Sequence, residues 1–133
     1  MQEPLKIRIA ILDLYEGQAN EGMRCIREIL NQFGENNNLD LEWDEFEVRQ
    51  KHQLPDLSYD IYISSGGPGS PLESEGSEWE NKYFHWIKRV LRYNDAIGNQ
   101  SKKHVLFICH SYQLACRYFK AASVTKRKST AFG

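Results

Sequence analysis

Tyr59-Asp60-Ile61-Tyr62-Ile63-Ser64-Ser65-Gly66-Gly67-Pro68-Gly69-Ser70-Pro71 is the stretch on which the fold turns. Its opening, Tyr59 to Ile63, is rich in aromatic and β-branched side chains, the composition of a strand. Ser65 to Pro71 reads as a turn. Gly66, Gly67 and Gly69 permit positive φ and close backbone approach, and Pro68 stiffens the loop between them. Such a loop, leaving the carboxyl end of a strand, presents backbone N–H groups to an anion or oxyanion. Taken alone it is also what an unliganded strand-to-helix turn looks like.

Downstream, Ser77 and Glu80 have capping-box spacing. Trp79, Tyr83, Ile87, Val90 and Leu91 predict an amphipathic helix to about Asn94. Val105-Leu106-Phe107-Ile108 is a further strand, running directly into Cys109 and a helix bearing Leu114, Ala115, Tyr118 and Phe119. Upstream, Ile7 to Leu14 is an apolar run suited to a strand buried on both faces. A helix comes next, with Asn20 as N-cap. Met23, Ile26, Ile29, Leu30 and Phe33 are expected on its apolar face and Gly34 at its C-cap. Leu39 to Trp43 alternates with period two, as an edge strand would, and the alternation slips between Trp43 and Phe46, predicting a bulge or strand end there.

Strands separated by helices imply βαβ units, right-handed crossovers and a mainly parallel sheet. In such sheets the ligand crevice lies at the carboxyl ends of the strands. The turns at Gly66–Pro71 and Cys109–Ser111 both leave a carboxyl end, so they share one edge of the sheet.

Composition narrows the function classes. The 133 residues are enough for one core, with no internal repeat, low-complexity tract or linker; 41% are hydrophobic and 26% charged, a globular balance. Lys and Arg number 17 against 18 acids, a net charge of -1, which gives no reason to expect nucleic acid or an anionic membrane as partner. No apolar stretch approaches the ~18 residues of a membrane span, and Met1-Gln2-Glu3-Pro4 lacks the start of a signal peptide. Cys25, Cys109 and Cys116 have neither CxxC spacing nor a nearby histidine pair, against a disulfide framework or a zinc site. No metal or cofactor is expected, and a reducing cytoplasm is the expected location.

Cys109 carries the candidate chemistry. A cysteine between a buried strand and a helix sits on a sharp turn that lifts its sulfur out of the sheet. The helix N-terminus favours thiolate, and the N–H of His110 points where an oxyanion would form. An isolated cysteine is more often a small buried side chain that fills space. Two candidate oxyanion elements on one sheet edge shift that balance.

Two motifs here carry a family resemblance. Tyr59 to Pro71 resembles the strand and GGPGSP loop of class I glutamine amidotransferases, of the kind found in GMP synthase. Phe107-Ile108-Cys109-His110-Ser111-Tyr112-Gln113 resembles their G-[IVL]-C-x-G-x-Q elbow. The resemblance implies a three-layer, flavodoxin-like α/β sandwich with a mainly parallel sheet. It implies Cys109 as nucleophile on the glutamine side-chain amide, the N–H groups of Gly67 and His110 as oxyanion donors, and Gly66, Gly69 and Gln113 as residues that seat glutamine. The product is ammonia, passed to an acceptor in a synthase domain or subunit, by way of a γ-glutamyl thioester that water hydrolyses.

The sequence departs from the family at three points. Phe107 and Ser111 replace the elbow glycines, and the family's downstream His-x-Glu is absent from the chain. Ser129 to Gly133 reads as the middle of a domain. The expectation is a single domain over 1–133, the N-terminal part of an amidotransferase unit truncated at its C-terminus, inactive as it stands and active in a longer form. If the fragment is all there is, exposed apolar surface from missing strands would be covered by self-association into a homo-oligomer. Two alternatives stay open: a related cysteine hydrolase of γ-glutamyl substrates, and a non-catalytic binding or regulatory domain. His52, His85 and His104 read as solvated, Cys25 and Cys116 as packing residues, Lys126-Arg127-Lys128 as a solvated basic face, and Glu73 to Glu80 as acids suited to a helix N-terminus. Asp13 and Tyr15 border the crevice with no assigned chemistry.

Overall fold

The first strand, β1 (Leu5–Asp13), is buried on both faces towards its end, and its alternation decides what packs where. The structure, a computed structural model, describes residues 2–96, 98 and 101–129. On one face Ile9 and Ile11 meet Met23 and Leu30 of α1 (Glu21–Asn36). On the other, Ala10 and Leu12 meet Tyr83, Trp86, Ile87 and Val90 of α2 (Glu78–Ala96) and Leu114 of α3 (His110–Phe119). Helices on both faces of one sheet make three layers. Each fully buried aliphatic or aromatic side chain is worth about 1.5–3 kcal/mol relative to exposure, which fixes β1 as the central plank.

The sheet order is β2-β1-β3-β4, all pairs parallel, with β2 at Leu39–Glu47, β3 at Ile61–Ser64 and β4 at His104–Phe107. The expected flavodoxin-like, parallel α/β architecture is the one observed, with β2 at an edge as its alternation implies. Register aligns the strand ends: Asp13 pairs with Glu47, Leu12 with Ser64, and Ser64 with Phe107. The segments after all four strands therefore emerge on one edge.

Several local expectations need correction. There is no bulge between Trp43 and Phe46; pairing with β1 is unbroken from Leu39 to Glu47. Leu41 and Trp43 pack on the α1 side and Phe46 on the α2 side, so the slip marks a change of buried face. Asn20 does cap α1, accepting from the Met23 N–H at 2.8 Å. Gly34 is not the C-cap: the helix runs on to Asn36 and Asn37 caps it. Ile29 and Phe33 are exposed.

At α2 the Ser77 hydroxyl accepts from the Glu80 N–H at 3.3 Å, but Glu80 does not complete a capping box. Its carboxylate is buried and takes hydrogen bonds from Ser74 and Gly76 while pairing with Arg117 of α3. Phe107 finds room by packing against the α2-side core. Residues 130–133, within the stretch that reads as mid-domain, lie outside the described residues.

Candidate active site

Cys109 stands between β4 and α3 with φ 51° and ψ -106°. A non-glycine residue at positive φ is strained, and such strain persists only where surrounding structure holds it. The holding contacts are visible. The Ile108 N–H continues the ladder to the Ser64 carbonyl at 3.0 Å, and α3 begins at once, with the Gln113 N–H donating to the Cys109 carbonyl at 3.1 Å. The cysteine is exposed. The turn thus lifts the residue out of the sheet, as its place between strand and helix implies.

The glycine loop lies directly against it. A Cβ on Gly66 would be 3.5 Å from the Cys109 Cβ and 3.0 Å from the Tyr15 hydroxyl. Gly67 is more tightly enclosed: a Cβ there would lie 2.5 Å from the Leu14 carbonyl oxygen and 2.6 Å from Arg49 Nη2. Only Gly69 of the three uses the left-handed region, at φ +79°. Gly66 and Gly67 serve close approach rather than positive φ.

Beneath the two turns runs a chain of buried hydroxyls. Ser64 Oγ is 2.7 Å from both the Tyr83 hydroxyl and Ser111 Oγ, and Ser111 donates to the Ser65 carbonyl. Ser65 Oγ in turn accepts from the Leu14 N–H at 2.9 Å. Ser111 therefore ties the elbow to the root of the glycine loop. Satisfied polar groups in a low-dielectric interior are rigid anchors, because breaking one leaves its partner unpaired.

His110 is buried (3% exposed), with its Nε2 3.1 Å from Arg49 Nη2. Burial first, then the Arg49 guanidinium, pushes the imidazole down to about 4, partly offset by its hydrogen bond to the Gly69 backbone. The ring is neutral at pH 7 and accepts from Arg49. Beside it a cleft of about 360 Å³ is lined by Glu16, Arg49, Gly69, Glu73, Trp79 and His110, among others. Cys109, Gly66 and Gln113 do not line that cleft. Gln113 is half-buried on the first turn of α3. Among the described residues, neither the Gly67 nor the His110 N–H donates to a backbone acceptor.

The structure thus brings Gly66, Gly67, Cys109 and His110 together and adds Tyr15, Arg49, Ser65 and Ser111. Burial first, then the charge of Cys109, holds the Tyr15 phenol above its ordinary value. Tyr15 is legible as a crevice residue from its place after β1; Arg49 comes after β2 in the same way, and that rule is the signal that could have found it. His52 sits near Lys82 and Glu78, while His85 and His104 are exposed. No group of metal-ligating side chains occurs among the described residues. No described helix is long and apolar enough to cross a membrane.

Comparison with known proteins gives the same fold. A glutamine amidotransferase from Thermotoga maritima matches at a TM-score of 0.56 and 18% identity, over 84% of this chain and 42% of that one. The structure of SMU.1228c matches at a TM-score of 0.47 and 21% identity, over 85% of this chain and 43% of that one. No family model matches the sequence, and neither does any curated protein. The chain has the α/β fold of the Thermotoga maritima amidotransferase and spans less than half its length.

Proposed function

We propose that the chain supplies the nucleophile and oxyanion half of a glutamine amidotransferase-type domain. Cys109 attacks the side-chain amide carbon of glutamine. The N–H groups of Gly67 and His110 hold the oxyanion, and Gly66, Gly69 and Gln113 seat the substrate. Collapse releases ammonia and leaves a γ-glutamyl thioester, which water cleaves to glutamate. The observation that carries this reading is the exposed Cys109 on a strained strand-to-helix turn, with Gly66 packed against its Cβ.

His110 is not the base, since its ring is occupied by Arg49 and the Gly69 backbone. The base and acid come instead from further polypeptide bearing the His-x-Glu that this sequence lacks, in a longer chain or a partner. Ammonia then passes to a synthase domain or subunit, in a reducing cytoplasm that keeps Cys109 a thiol. Incubation of a longer form that carries the His-x-Glu with a diazoketone analogue of glutamine, followed by peptide mapping, tests the reading. Labelling should fall on Cys109 and be suppressed by glutamine. Equal labelling of exposed Cys25, or no protection by glutamine, overturns it. In a longer form that releases glutamate, Cys109→Ser should abolish the release.

A further inference from the structure

Two backbone amides can share one oxyanion only if the turns that carry them are fixed relative to each other. Strand pairing fixes the roots of those turns, and Ser111 adds one tie to Ser65. Neither contact reaches the level of Gly67 and Pro68. Arg49 does. Its side chain is 7% exposed, and its guanidinium lies 5.1 Å from the centre of the Trp79 ring. Nη1 donates to the Pro68 carbonyl at 2.9 Å and to Glu16 at 3.0 Å, while Nη2 meets His110 Nε2 at 3.1 Å. One planar fork therefore grips the residue after Gly67 and the ring of His110 at once. The close fit at Gly67, where a Cβ would collide with Nη2, shows that the loop is shaped around it.

We propose that Arg49 is a positioning residue that sets the Gly67 and His110 N–H groups at a fixed mutual geometry, making one oxyanion hole of two separate turns. This rests on the oxyanion role proposed for those two amides. Because both nitrogens of the fork are committed, the charge of a lysine does not replace it. Arg49 at Nε2 and the Gly69 backbone, which takes the other ring N–H, agree on one neutral tautomer of His110, accepting at Nε2 and donating from Nδ1. The other charged groups acting on that ring are Glu80 and Arg117.

The test compares two reactions at the same sulfur in the 133-residue chain. A p-nitrophenyl ester acylates Cys109 through a tetrahedral oxyanion: the S–C bond forms, the C–O bond breaks and p-nitrophenolate leaves. Iodoacetamide alkylates it by displacement of iodide, with no oxyanion. Exposed Cys25 in the same molecule is the internal reference. Arg49→Met should slow acylation of Cys109 about tenfold, less than the loss of an oxyanion donor itself, while alkylation stays within about twofold. Arg49→Lys should stay within about threefold of Arg49→Met, and in Arg49→Met the unprotonated His110 Nε2 should shift in histidine nitrogen spectra as it loses its donor. Parallel slowing of both reactions, or full rescue by lysine, overturns the proposal. Should the wild-type ratio of acylation to alkylation be no higher at Cys109 than at Cys25, the oxyanion reading fails. An unshifted His110 Nε2 in Arg49→Met removes the Arg49 contact on its own.

Discussion

Two arginines hold the glycine loop by its carbonyls, and they differ in what stands behind them. Arg117 of α3 donates to the Pro71 carbonyl at 2.8 Å and pairs with Glu80, whose side chain is 2% exposed. Arg49 donates to the Pro68 carbonyl at 2.9 Å and pairs with Glu16, whose side chain is 49% exposed. The first clamp is internal and joins α2 to α3. The second opens onto the cleft and joins the segments after β1, β2, β3 and β4. Removing Arg117 strands a buried carboxylate; removing Arg49 returns a carboxylate to water. Loss of the first should therefore register as stability and loss of the second as site geometry.

The largest expected effect is on the internal side. Arg117→Met should lower unfolding free energy by about 3–5 kcal/mol in urea titrations, the cost of an unpaired buried charge. Glu80→Gln in that background should recover part of the loss, because the stranded group is then neutral. Arg49→Met should cost only about 1–2 kcal/mol, since Glu16 and the Pro68 carbonyl can be hydrated. Equal losses for the two arginines would break the comparison.

The two clamps also mark where sequence reading stops. The glycine loop and the turn at Cys109 are local: their residue types mark them as turns, and periodicity places them on one edge. Nothing local in the sequence names the partners of Arg49 and Arg117, which become neighbours only when parallel register aligns the strand ends. Glu80 reads as a capping acid for the same reason; its spacing from Ser77 is local, whereas Arg117 is supplied by another helix. The slip at Trp43 and Phe46 misleads because loss of alternation has two causes, an extra residue or a change of buried face. Ser111 reads as a small replacement for glycine, while its bond to Ser65 exists only in the fold.

Acid should reveal the Arg49 side next. His110 has its imidazole pushed down to about 4 in the folded state against an ordinary 6.5. Between those values the unfolded chain binds the proton and the folded chain does not, so this contribution is present above pH 6.5 and is lost as pH falls through 4. It should amount to about 2–3 kcal/mol, read as the difference between wild type and His110→Gln in urea titrations at about pH 7.5 and about pH 4. A pH-independent difference would remove His110 from the buried, Arg49-facing position. Gly67→Ala should cost roughly 1–3 kcal/mol, because its methyl meets the Leu14 carbonyl and Arg49 in a packed site. In Arg49→Met, where one of those obstacles is gone, the same substitution should cost less. Simple additivity of the two would mean they do not touch.

The smallest effect sharpens the contrast from the internal side. Tyr83 is fully buried in α2, and its hydroxyl ends the chain through Ser64 to Ser111 beneath the elbow. Tyr83→Phe removes one hydrogen bond without leaving Ser64 alone, because Ser111 remains 2.7 Å away. The loss should be about 1 kcal/mol, with ester acylation of Cys109 within about twofold of wild type. Ser111→Ala removes the middle of the same chain and so cuts the tie from the elbow to the Ser65 carbonyl. Acylation should then fall further than in Tyr83→Phe for a similar change in stability. That ordering holds if the internal hydroxyls act on the site only through the contact nearest Cys109; equal acylation in the two variants would show that the elbow is held by its own backbone and by Arg49 instead.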